Sequence, residues 1–144
     1  MPHTNPSDDD IRRLLSTSRT IAMVGASSKP DRPSHGVMKT LIRAGYNVIP
    51  VTPRETDVLG KRAYASLRDV PDKVDIVDVF RRAEETPAIA DDAVAIGARA
   101  LWLQLGISSE EAAQRASDGG LIVVMDKCIG QTVSKAGVHA GDKP

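Results

Sequence analysis

The segment Gly25-Ala26-Ser27-Ser28-Lys29-Pro30-Asp31-Arg32-Pro33-Ser34-His35-Gly36 collects small residues, hydroxyls and cations in one stretch. That combination suits a phosphate. Gly25 permits a tight backbone turn, and Ala26 and Ser27 are small enough for an anion to approach the main chain. Ser27, Ser28 and Ser34 can donate hydroxyl hydrogen bonds, while Lys29 and Arg32 can neutralise charge. A helix beginning near Ser34, with Gly36 in its first turn, would aim free N–H groups and the positive end of its dipole at the ligand. The spacing is neither G-x-G-x-x-G nor the Gly-Lys-Ser/Thr of a Walker loop, which lowers the weight of NAD binding and nucleotide hydrolysis.

Other chemistry-bearing residues recur just after apolar runs. Val51-Thr52-Pro53-Arg54 puts an arginine where NAD sites carry an acid for the ribose hydroxyl. Arginine there suits an extra ribose phosphate, as on NADP or coenzyme A, although the adjacent Glu55 keeps another reading open. Asp78-Val79-Phe80-Arg81-Arg82 offers two cations for a pyrophosphate, or for pairing with Glu84 and Glu85. Leu103-Gln104-Leu105-Gly106 offers an amide that can donate and accept. Cys128 follows a further apolar run, and Lys127 beside it would favour the thiolate. It reads either as a redox thiol or as a small buried residue. His35 lies in the phosphate loop, facing either ligand or solvent; His3 and His139 are expected in solvated tails. Trp102 is expected in the core. No Ser–His–Asp arrangement, carboxylate pair or metal-spaced cluster stands out, so the residues point to binding more than to catalysis.

The elements that must hold these residues are legible. Five apolar runs, Thr20 to Ala26, Asn47 to Thr52, Asp75 to Phe80, Ala100 to Leu105 and Leu121 to Met125, have few alternating polar residues, as strands covered on both faces do. Helices fit between them. Ser7-Asp8-Asp9-Asp10, Thr86-Pro87 and Ser108-Ser109-Glu110-Glu111 read as helix starts. Gly45, Gly97 and Gly119-Gly120 read as stops. Residues 54–73 carry Gly60 and Pro71 and predict a short extra strand with at most a brief helix. Strand–helix alternation predicts an α/β fold: a Rossmann-like, doubly wound, mostly parallel sheet of five to six strands with helices on both faces. Ligands on such sheets bind at the carboxyl ends of the strands. Residues 1–132 are expected to form one domain, and 133–144 a flexible tail.

The chain has 144 residues, 19 basic and 19 acidic, so its formal net charge is zero. Nucleic-acid and anionic-membrane binders normally carry a basic surplus, and neither partner is expected. The N-terminal residues are acidic and lack a signal-peptide core, so the expected location is the cytoplasm. A single cysteine excludes an internal disulfide.

Taken together, Val24-Gly25-Ala26-Ser27, Pro33-Ser34-His35-Gly36, Gly45-Tyr46-Asn47-Val48-Ile49-Pro50-Val51, Val74 to Arg81, Leu101 to Gly106 and Val124 to Ile129 resemble the small single-domain CoA-binding proteins of bacteria. These are similar in turn to the N-terminal CoA-binding domain of succinyl-CoA synthetase α subunits. The resemblance spans about residues 10 to 130 and implies coenzyme A as ligand. By position it assigns Gly25, Ala26, Ser27, Ser34 and Gly36 to the phosphate loop, and Thr52 and Pro53 to the turn beside adenosine. Arg81, Gln104 and Gly106 match the edges of the next two strands. The synthetase also uses a later domain with a phosphorylated histidine. That domain is not expected in a chain ending at Pro144, so the resemblance implies binding of CoA or an acyl-CoA, as a sensor or carrier. The alternatives are an NADP-linked oxidoreductase or redox sensor, and a regulatory subunit defined by a partner surface.

Overall fold

The computed structural model describes residues 2–141. The chain begins with α1 (Asp8–Thr17), whose N-cap Ser7 accepts a hydrogen bond from the Asp10 N–H at 3.1 Å. A cap of this kind is worth about 1 kcal/mol. There follow β1 (Thr20–Val24), α2 (Pro33–Arg43) and β2 (Asn47–Val51). Residues 54–73 form the small hairpin β3 (Asp57–Val58) and β4 (Lys61–Arg62), then a 3₁₀ turn at Leu67–Asp69. The chain continues through β5 (Ile76–Val79), α3 (Thr86–Ala95), β6 (Ala100–Leu103), α4 (Glu110–Asp118), β7 (Ile122–Val124) and α5 (Ile129–Ala136).

The main sheet has five strands, all parallel, in the order β2-β1-β5-β6-β7; the β3–β4 hairpin stands apart from it. Alternation along each strand divides the core in two. Ile21, Met23, Ile76 and Trp102 face α1, α2 and α5 through Leu14, Met38, Leu41 and Ile129. Ala22, Val77, Val79 and Leu103 face α3 and α4 through Ala90, Ala93, Ala112 and Ala116. The alanine-rich stripes let α3 and α4 lie close to the sheet. The expected Rossmann-like architecture, with helices on both faces, is therefore present.

Two expectations about the termini give way. The last stretch is not a tail from residue 133. Val133 is buried inside α5, Gly137 closes that helix in the left-handed conformation, and Val138 is buried. Ala140 and Gly141 donate to the carbonyls of Ala44 and Ser18. The weak patterning misled because one turn of helix and a few caps do this anchoring. Residues 142–144 lie outside the described residues. At the other end, half-buried His3 is anchored rather than loose in a tail: its N–H donates to Glu110 at 2.7 Å and its ring meets Asn5. Asn5 in turn exchanges two hydrogen bonds with the Met125 backbone.

Candidate functional site

Strand order reverses at β1, which has β2 on one side and β5 on the other. A doubly wound sheet opens its binding crevice there. Gly25 occupies the mouth with φ +92°, and its N–H donates to the Val51 carbonyl at 3.0 Å. A Cβ at this position would lie 3.0 Å from the Phe80 carbonyl oxygen and 3.2 Å from Arg81 Cδ. Conformation and space both demand glycine. Beyond it, Ala26 is buried and Ser27 half-buried, with the Ser27 hydroxyl accepting from the Lys29 N–H. His35 does not face solvent. It is buried, and its Nδ1–H donates to the Ser27 carbonyl at 3.1 Å, pinning the loop against α2. Since a carbonyl can only accept, the ring proton sits on Nδ1. Arg32 leads into α2 with no side-chain cap, and Pro33 fills the first position. The His35 N–H is given to the Arg32 carbonyl at 3.0 Å, which leaves the Ser34 N–H of the first turn without a partner among the described residues. Ser34 is buried at this start, whereas Lys29, Arg32 and Gly36 are exposed.

A cleft of about 450 Å³ lies across the exits of β1, β2 and β5, lined by Val24, Gly25, Val51, Pro53 and Arg81 among others. It brings together three of the residues expected at a ligand. Thr52 is buried and its hydroxyl accepts from the Arg54 N–H. The Arg54 side chain is exposed and makes no hydrogen bond or ion pair among the described residues. Arg81 pairs with Glu85 at 2.6 Å, and Arg82 lies 3.7 Å from Glu85 and 3.9 Å from Glu84. The carboxylate partners foreseen for these arginines are thus engaged. The Arg81 hydrogen bond holds the Glu85 carboxyl below its ordinary range.

The acid of this edge is Glu55. It accepts hydrogen bonds from the Ser28 N–H, at 2.9 Å, and from the Ser28 hydroxyl. These bonds, with lesser help from Lys29 and His35, lower its pKa. Its place one residue beyond Arg54 was visible in the sequence; its reach across to the loop was not.

At the exits of β6 and β7 a second cluster forms. Gln104 is 5% exposed, and its Oε1 accepts from the Ile129 N–H at 3.1 Å, leaving its amide nitrogen without a partner among the described residues. The Gly106 N–H donates to Asp126 at 2.7 Å, and Trp102, fully buried as expected, donates its indole N–H to the Lys127 carbonyl at 2.9 Å. These bonds clasp the β6 and β7 loops together around half-buried Cys128, the residue preceding α5. Cys128 shares one cleft of about 450 Å³ with Gly36 and Val37, and another of about 520 Å³ with Leu105 and Lys127. The expected site residues therefore divide into a Gly25–Pro53–Arg81 group and a Gly36–Cys128 group.

One charged-type residue escaped the sequence reading. Asp78, on β5 between Met23 and Trp102, is wholly buried and neither carboxyl oxygen has a hydrogen-bond partner among the described residues. Burial pushes its pKa well up, disfavouring the charged form.

Residues 19–133 match the family model described as the CoA binding domain. The chain belongs to that family. A Bacillus subtilis relative, uncharacterized protein YneT, is 43% identical over 125 residues, which is 87% of this chain and 93% of the relative. A solved structure of a hypothetical protein from Pyrococcus horikoshii OT3 superposes with a TM-score of 0.88 at 38% identity, covering 94% of this chain and 98% of the other. The α subunit of ADP-forming acetate–CoA ligase I from Pyrococcus furiosus is 30% identical over 84 residues, 54% of this chain but only 18% of the subunit. CoA binding is thus supported for the domain. No helix among the described residues is long and apolar enough to cross a membrane.

Proposed function

We propose that this CoA-binding domain takes coenzyme A, free or acylated, across the carboxyl edge of its sheet and acts as a non-catalytic sensor or carrier in the cytoplasm. The observation that carries this reading is the Gly25 turn. A φ of +92° and the Phe80 carbonyl and Arg81 side chain standing where a Cβ would go admit only glycine at the sheet's switch point, beside the start of α2, which has no side-chain cap. A phosphate fits such a place because main-chain N–H groups and the helix dipole converge on it. On this reading the loop from Gly25 to Gly36, including Ala26, Ser27, Ser28, Lys29, Arg32 and Ser34, surrounds the phosphates. Thr52, Pro53 and Arg54 face the adenosine part. Gln104 and Gly106 meet the remaining arm with Arg81.

Arg54 also suits the ribose phosphate of NADP, so an NADP-linked oxidoreductase or redox sensor is the second reading. Thermal shifts with CoA, acetyl-CoA, NAD, NADP and ATP separate the two. A ligand present at 100 times its dissociation constant adds about 2.7 kcal/mol of stability. CoA is expected to stabilise more than NAD or NADP. Equal or greater stabilisation by either dinucleotide overturns the CoA reading.

A further inference from the structure

The donors at the tip of the phosphate loop are already occupied. Ser28 presents both its main-chain N–H and its hydroxyl to one carboxylate, that of Glu55, from the segment after β2. Lys29 and His35 are close enough to act on the same carboxylate by charge. A side-chain carboxylate held by a main-chain N–H and a hydroxyl beside a lysine occupies the surroundings a ligand phosphate would need. Arg54, its neighbour in the chain, does not pair with it and stays exposed.

We propose that Glu55 is an internal competitor of the ligand: a latch that closes the phosphate loop and must be displaced from Ser28 when an anionic ligand enters. The inference rests on the CoA reading and adds a residue that sets affinity. Two features support displacement over a shared site. A dianionic phosphate against the Glu55 carboxylate would be repelled in either partner's favour. The latch is also easily opened: Glu55 is only half-buried, and no ion pair closer than 4 Å holds it among the described residues. The titratable and charged groups around it are Lys29 and His35 on the loop and α2, with Arg54 and Asp57 along its own segment. The Ser28 bonds keep Glu55 ionised through the neutral range, so the latch is set under ordinary conditions. When only the open fraction binds, the apparent dissociation constant rises by the inverse of that fraction.

Glu55→Gln tests this, because it keeps the shape of the side chain and exchanges charge-assisted hydrogen bonds for neutral ones. Binding of CoA and of inorganic pyrophosphate to both proteins is measured by calorimetry. Hydrogen bonds to charged groups exceed neutral ones by enough for about a tenfold change, so the variant is expected to bind both probes about tenfold more tightly. Ser28→Ala in the Glu55→Gln background should then remove part of that gain. Equal affinity of the two proteins for CoA overturns the latch while leaving the CoA reading intact. Weaker binding by Glu55→Gln also overturns it, since Glu55 would then be a ligand contact. If CoA binds neither protein but pyrophosphate still prefers the variant, the latch stands and the CoA reading falls. If neither probe binds either protein, both fall.

Discussion

Asp78→Asn changes one atom type in the centre of the sheet and should make the protein more stable, increasingly so as pH rises. The carboxyl is fully buried between Met23 and Trp102 and has no hydrogen-bond partner, so its charged form is strongly disfavoured in the fold. In the unfolded chain the same group ionises above about pH 4. The native state then holds a proton that the unfolded state has released, and stability falls as pH rises through that window. The slope is about 1.4 kcal/mol per pH unit for one group until the native pKa is reached. Asparagine cannot titrate, so this slope is absent in the variant. Above about pH 4 the stability difference between Asp78→Asn and wild type should therefore widen as pH rises, until the native pKa is reached. Urea denaturation at pH 5, 6, 7 and 8 and constant ionic strength measures it directly, and the effect is well above the error of the method. If the two stability curves run parallel, Asp78 is ionised in the fold and the buried neutral acid is wrong.

Other expectations follow from single contacts. Gly25→Ala should cost at least about 1–2 kcal/mol in a thermal or urea melt, because φ is +92° and the new methyl meets the Phe80 carbonyl; unchanged stability would mean the loop is differently built. Removing the 3′-phosphate from CoA should weaken binding to wild type by roughly 1.5–3 kcal/mol more than binding to Arg54→Ala, whereas equal losses would show that Arg54 does not read that phosphate. Oxidised CoA should add one CoA mass to the protein but not to Cys128→Ser: the Cys128 thiolate attacks the disulfide, a mixed disulfide forms, and the other CoA leaves as thiolate. A wild-type protein that binds CoA and gains no such mass leaves Cys128 without a redox role.

How much of this was legible in the sequence depends on the range of the interaction involved. Strands and helix ends are written locally. Five apolar runs without alternation marked five buried parallel strands, and Ser7 and Ser109 capped the helices they precede. Gly25 was legible too, because only glycine serves where the chain turns hard out of β1 against β5. Contacts between segments distant in sequence were not legible. Nothing around residue 28 announces that Glu55 will reach it, or around residue 5 that Asn5 will pair with Met125. The tail was misjudged for the same reason, since Gly141 is held by Ser18 across the fold.

Asp78 lies in a segment whose apolar pattern marks a strand, while its own burial depends on the register. Asp75-Ile76-Val77-Asp78-Val79 contains two acids in an apolar run, and both fit a strand. Asp75 sits at the start, where its carboxylate accepts from the N–H groups of Arg19 and Thr20. Asp78, three residues on, points into the layer beneath α2 and α5, among Met23, Trp102 and Ile129. The period of two that assigns Ile76 to that face assigns Asp78 to it as well. An acid on the buried face of a central strand is therefore detectable from sequence once the register is known. Its register partners Met23 and Trp102 lie two residues before Gly25 and Gln104, so Asp78 sits directly beneath the loops of the candidate site.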